Sequence, residues 1–134
     1  MTLLPTIEME TRPNPDSAVI WLHGLGADGN DFAPIVSQLR LPADMAIRFI
    51  FPNAPSMPVT VNGGFVMPAW YDILEMQIDR KIDQAGLLAS AKAIGAFVDR
   101  ELDRGIAGKR LIIAGFSQGG AVAYHLALSH PTPL

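Results

Sequence analysis

Short apolar runs alternate along this chain with stretches of helical spacing, and turn-forming residues separate them. Ala18 to His23 and Ala46 to Phe51 are apolar runs of the kind buried on both faces of a parallel sheet, and Arg110 to Ala114 is a third. Leu3 to Glu10 reads as a weak edge strand, closed by the turn Arg12-Pro13-Asn14-Pro15-Asp16. Asn30 or Asp31 can cap a helix running through Leu39. Pro52 then opens an irregular stretch to Asp72 that contains Pro55, Pro58, Gly63, Gly64 and Pro68, and a loop that long usually has a function. From Asp83 to Asp103 the residues Leu87, Ala91, Ile94, Val98 and Leu102 recur at helical spacing, opposite Ser90, Lys92, Asp99 and Asp103. Gly105 follows as a left-handed cap. Strand alternating with helix predicts an α/β domain with a mainly parallel sheet joined by crossovers.

The chemistry sits where the third apolar run ends. Gly115-Phe116-Ser117-Gln118-Gly119 lies between that strand and the small-residue run Gly120 to Leu128, which reads as a helix. A GxSxG elbow holds its serine in a strained bend with Oγ projecting above the sheet edge, and the flanking glycines remove side chains that would collide there. The bare pattern is weak, but a strand before it and a helix after it make it specific. Ser117 is therefore the candidate nucleophile; the competing reading is a serine that only caps the following helix.

Acyl transfer also needs two backbone N–H groups aimed where the carbonyl oxygen becomes an anion. Gln118 supplies one at the head of a helix whose positive end adds to the field. The loop after Ala18 to His23 supplies the other, with Leu25 the favoured donor because the glycines around it let the backbone turn inward. The same loop has a second reading, since Gly24, Gly26 and Gly29 spell the GxGxxG of a dinucleotide site. That site needs an acid at the end of the next strand, and Phe51-Pro52-Asn53-Ala54 has none. A noncatalytic hydrolase-like binding module is the remaining alternative.

In this architecture the acid and then the base follow the nucleophile in the chain, yet nothing acidic follows Ser117. His125 and His130 lie on or just past the helix that begins at the elbow, roughly 12 Å and 20 Å along its axis at the rise of a helix. Neither reaches the hydroxyl. His23 precedes the nucleophile and reads as a structural hydrogen-bonding residue, while Asp28, Asp31 and Asp72 cap or brace loops. The expectation is a single domain over 1–134, truncated after the helix that follows the nucleophile, with acid and base beyond Leu134 and little or no activity by itself.

Four segments together resemble the bacterial carboxylesterase branch of the phospholipase/carboxylesterase family, which includes the acyl-protein thioesterases. They are Trp21 to Asp28, Val59 to Gly64, Met67 to Ile73 and Ala114 to Gly120, in the family's order and spacing. The resemblance implies an α/β-hydrolase fold with helices on both faces of the sheet and no large lid. It further implies a cofactor-free serine hydrolase of short to medium acyl esters or thioesters, with Ser117 as nucleophile and Leu25 and Gln118 as the oxyanion hole. It makes the loop from Val59 to Ile73 a substrate-side wall, in which Trp70 and Tyr71 either line the acyl pocket or cover the sheet end.

Composition narrows the partners. A net charge of −3 with scattered Lys and Arg gives no footprint for nucleic acid. The absence of cysteine excludes disulfides and thiolate chemistry and fits a reducing compartment, and no His and carboxylate set has the spacing of a metal site. The N-terminus lacks the pattern of a signal peptide and no apolar run is long enough to span a membrane, so the expected location is the cytoplasm. An unpaired edge on the strand Arg110 to Ala114 predicts self-association.

Overall fold

Alternating burial along one central strand, Ser17–Leu22, fixes the frame of the molecule. In the computed structural model, which describes residues 3–74 and 83–134, β1 is Thr6–Glu10, β2 Ser17–Leu22 and β3 Ile47–Pro52. A hairpin follows, β4 Ser56–Val59 with β5 Phe65–Pro68, then helix α1 Gln84–Asp103, strand β6 Leu111–Gly115 and helix α2 Gln118–Ser129. The main sheet runs β1-β3-β2-β6. β2 pairs parallel with β3 and with β6, and β1 pairs antiparallel with β3 at the edge expected of it.

Because neighbouring side chains on a strand point to opposite faces, Ala18, Ile20 and Leu22 join Ile50 and Leu111 in one core, under Ile94, Phe97, Val98 of α1 and Val122, Leu126 of α2. The other face packs Phe49 and Phe51 with Val19, Trp21, Phe32 and Val36. The described α-helices thus share one face, and a short 3-10 segment covers part of the other.

That segment, Ala33–Gln38, stands where a capped α-helix was expected. Its N-cap position is Phe32, which makes no side-chain cap bond, and Asp28 instead accepts from the N–H of Asn30 in a local turn at 2.8 Å. The segment is wound as a 3-10 helix and ends just before the positive-φ Arg40. The stretch after Pro52 also departs from expectation: Pro58 and Pro68 sit in a two-stranded antiparallel hairpin, turned by Gly63 and Gly64 at φ 69° and 80°. An edge ribbon tolerates proline because one side of each strand needs no donors.

Helix α1 follows its sequence pattern closely. Asp83 caps it by accepting from the N–H of Gly86 at 3.0 Å. At the other end the N–H groups of Ile106 and Gly105 return to the carbonyls of Glu101 and Leu102, a Schellman ending with Gly105 at φ 97°. Ser90 is the exception. Assigned to the polar face, it is buried and donates its hydroxyl hydrogen to Trp70 O.

Candidate active site

The strand order places the site. From β2 the chain leaves toward the 3-10 segment on one face, and from β6 it leaves into α2 on the other, so the loops diverge between these two adjacent strands. In open α/β sheets such a switch point, at the carboxyl ends of the strands, is where a crevice forms. β2 and β6 stay in register up to Leu22 opposite Gly115, and the N–H of Phe116 extends the ladder to Leu22 O at 3.0 Å. The loop from His23 therefore starts beside the elbow. A Cβ on Gly24 would lie 3.1 Å from Phe116 Cδ1, which shows how closely the two loops pass.

Ser117 is exposed, at φ 55° and ψ −117°, at the N-cap position of α2. A non-glycine residue at such a conformation is strained by about 1–3 kcal/mol. Its side chain makes no capping bond, so the reading of Ser117 as a plain helix cap fails. The glycines around it are steric necessities: a Cβ on Gly119 would stand 2.4 Å from His23 O and 2.6 Å from Leu22 O, and one on Gly115 2.4 Å from Gly119 O. The helix can start this close to β2 only without those side chains.

The main-chain N–H of Gln118 heads α2, where intrahelical partners do not exist. The N–H of Leu25 likewise has no protein partner among the described residues, whereas its neighbours are engaged: Gly26 N–H donates to Pro68 O at 2.9 Å and Ala27 N–H to Gly24 O at 3.3 Å. The structure thus brings a loop bearing one unpaired donor alongside an elbow bearing another.

Trp70 and Tyr71 sit behind this corner. Trp70 has 0% exposure and Tyr71 8%. Three groups hold Trp70 by its polar atoms. Its N–H donates to Gln118 Oε1 at 2.8 Å, its carbonyl accepts from Ser90, and its indole N–H donates to His23 O at 2.8 Å. Gln118 Nε2 completes the clamp on Tyr71 O at 2.6 Å. The sequence offered Gln118 for its backbone alone; the one hint of a buried side-chain role was a long polar residue in a run of small and apolar ones.

His23 is buried, with both ring nitrogens in use: Nδ1 lies 2.7 Å from Gly24 O, and Nε2 accepts from the N–H of Ala54 at 3.0 Å. That agrees with a hydrogen-bonding role and leaves no lone pair for a serine proton. His130 is engaged with Asp99 of α1 at 3.1 Å through Nε2, and Nδ1 accepts from Thr132 N–H. His130 and His125 line a groove of about 840 Å³ between α1 and α2, whose walls include no residue of the elbow. Asp72 braces the hairpin: its carboxylate accepts from the N–H of Thr60 at 2.7 Å and from its hydroxyl, which holds its pKa below the usual carboxylate value.

The dinucleotide reading loses its structural basis. No α-helix begins after Gly29, whose N–H is committed to Asn53 Oδ1 at 2.6 Å, and a Cβ there would stand 2.6 Å from Phe51 O. Gly29 is small for packing against β3. Among the described residues no group of His, Cys, Asp and Glu could hold a metal ion, and no helix is long and apolar enough to cross a membrane.

Comparison with known proteins agrees with this geometry. Acyl-protein thioesterase 1 of Schizosaccharomyces pombe is 42% identical over 118 residues, covering 88% of this chain and 52% of the relative. The crystal structure of Zea mays acyl-protein thioesterase 2 superposes with a TM-score of 0.79 at 33% identity, over 92% of this chain and 51% of that one. That of Arabidopsis thaliana SOBER1 gives 0.81 at 35%, over 86% and 56%. The chain spans about half the length of the curated relatives it matches. The family described as Phospholipase/Carboxylesterase matches residues 5–134. With residues 5–134 matched in this way, the chain belongs to the phospholipase/carboxylesterase family.

Proposed function

We propose that this chain carries the nucleophile and the oxyanion-binding part of a serine hydrolase that cleaves short to medium acyl carboxylic esters or thioesters. Ser117 Oγ adds to the acyl carbonyl, the alcohol or thiol leaves with a proton, and water later releases the acid from the acyl-enzyme. The negative oxygen formed in each step lies against the N–H groups of Leu25 and Gln118. One observation carries the reading: an exposed hydroxyl at a strained bend, beside two main-chain N–H groups without partners among the described residues. The thioesterase relatives support the choice of acyl substrate. Trp70 and Tyr71 act in this reading from beneath, positioning the wall rather than offering their rings to substrate. The reaction needs no cofactor, and the absence of cysteine fits work in the cytoplasm.

The base is the missing part. His23, His125 and His130 are all placed, and none shares a hydrogen bond with Ser117. These 134 residues alone are therefore expected to turn over p-nitrophenyl butyrate negligibly, and robust turnover would refute the missing-base reading. A fluorophosphonate probe, applied with imidazole in solution as an external base, tests the nucleophile: the adduct is expected on the peptide containing Ser117 and should vanish in Ser117→Ala. An unlabelled Ser117 would favour the noncatalytic binding module.

A further inference from the structure

The carbonyl of Gly24 and the N–H of Leu25 belong to one peptide unit. In a planar trans peptide they point in opposite directions, so whatever holds the carbonyl aims the N–H. Two donors converge on Gly24 O: His23 Nδ1 at 2.7 Å and the N–H of Ala27 at 3.3 Å. The shorter is the side chain's. Its tautomer follows from its partners, because Nε2 faces the N–H of Ala54 and must present its lone pair, which leaves the proton on Nδ1. Ala54 lies just beyond β3, so the ring is referenced to the sheet rather than to its own loop. Trp70 holds the same residue from another side, with its ring centroid 5.1 Å from the imidazole and its indole N–H on His23 O.

We infer that His23 is a positioning residue for the oxyanion hole: its Nδ1–H fixes the Gly24 carbonyl and thereby aims the Leu25 N–H at the corner above Ser117. The inference rests on the hydrolase reading above for its catalytic meaning. It gives this imidazole a task in acyl transfer without any proton exchange. The alternative is a histidine that only fills space between β2, Trp70 and Ala54, in which case the direction of the Gly24-Leu25 peptide is indifferent to which ring nitrogen carries hydrogen.

Two substitutions separate these. Asparagine can present an N–H near the place of Nδ1, while glutamine can present an acceptor near the place of Nε2. With imidazole in solution as the external base, the rate of fluorophosphonate labelling at Ser117 should fall at least about tenfold in His23→Gln, approaching the loss of one whole donor, and recover to within about threefold of the unmodified chain in His23→Asn. Melting temperatures are read alongside, and the rate split should persist between variants of matched melting temperature. Equal rates in the two variants, or a faster His23→Gln, would overturn the inference. Long-range proton-nitrogen NMR of the unmodified chain gives a second readout, independent of folding in the variants. The Nδ1–H tautomer is expected at His23, and the Nε2–H form would overturn the inference. If the unmodified chain is not labelled at Ser117, the hydrolase reading fails by itself, and the tautomer measurement still decides what holds the peptide.

Discussion

Ser117 is held in a conformation that its own chemistry disfavours, and that has a measurable consequence. Glycine adopts φ 55° with little penalty, whereas alanine keeps the strain. Ser117→Gly should therefore exceed Ser117→Ala in unfolding free energy by about 1 kcal/mol or more in urea titration, even after allowing for the extra freedom glycine has when unfolded. Equal stabilities would mean that the bend is unstrained. The elbow at Ser117 was legible because GxSxG stood between a strand and a helix. The reason for its second glycine was not: Gly119 is small on account of the Leu22 and His23 carbonyls, on a strand far away in sequence. Nor could the sequence say that the Gln118 side chain ties Trp70 and Tyr71 to the elbow, since this link exists only after the sheet forms.

Among the elements, α1 and the strands follow their periodicity, and the departures have identifiable causes. The β4–β5 hairpin was hidden by Pro58 and Pro68, which read as loop although an edge ribbon accommodates them. Asp72 anchors this hairpin through Thr60, whose hydroxyl and then N–H lower its pKa. A lowered folded-state pKa means that the carboxylate's contribution is present above its ordinary value of 3.8 and is lost as pH falls through the lower folded value. The amide proton of Thr60 should therefore titrate with a midpoint below 3.8, and Asp72→Asn should abolish the step. A midpoint at or above that value would contradict the anchor.

Helix α1 also conceals a charge that its apolar stripe did not reveal. The Glu101 side chain is wholly buried, and its oxygens accept from Arg48 on β3, from Arg100 at 3.3 Å and from Arg104 at 3.1 Å. The guanidinium of Arg48 also meets Glu10 of β1 at 3.0 Å, so the cluster joins the helix to two strands. Removing Glu101 leaves Arg48 with Glu10 and Arg100 with Glu8, but strips each of its buried acceptor. Glu101→Ala should cost about 1–3 kcal/mol of unfolding free energy by urea titration, more than loss of an exposed pair such as Arg110 with Asp16.

At the scale of the molecule, the described sheet has β6 at one margin, with a ladder on its β2 side alone. Around that margin Ile112, Tyr124 and Leu128 are 60%, 73% and 78% exposed, and a groove of about 410 Å³ opens between β6 and α2. Unpaired backbone beside apolar side chains invites pairing with another chain. These 134 residues should therefore elute from size-exclusion chromatography as concentration-dependent associates, and a monomer peak unchanged by dilution would contradict this. The overall architecture was readable from strand and helix alternation, whereas strand order and the uncovered margin depend on pairings between distant segments.

The switch point between β2 and β6 has a temporal corollary. The Leu25 and Gln118 amides, proposed above as the anion donors, are far apart in the chain, and their loops meet only when β6 docks against β2. During synthesis the glycine loop emerges early and waits, unable to stabilise a charge, until the ribosome has delivered the elbow. In the proposed reading the donor pair is therefore assembled by a late zippering event, and anything that slows the docking of that strand delays it without touching a reacting atom.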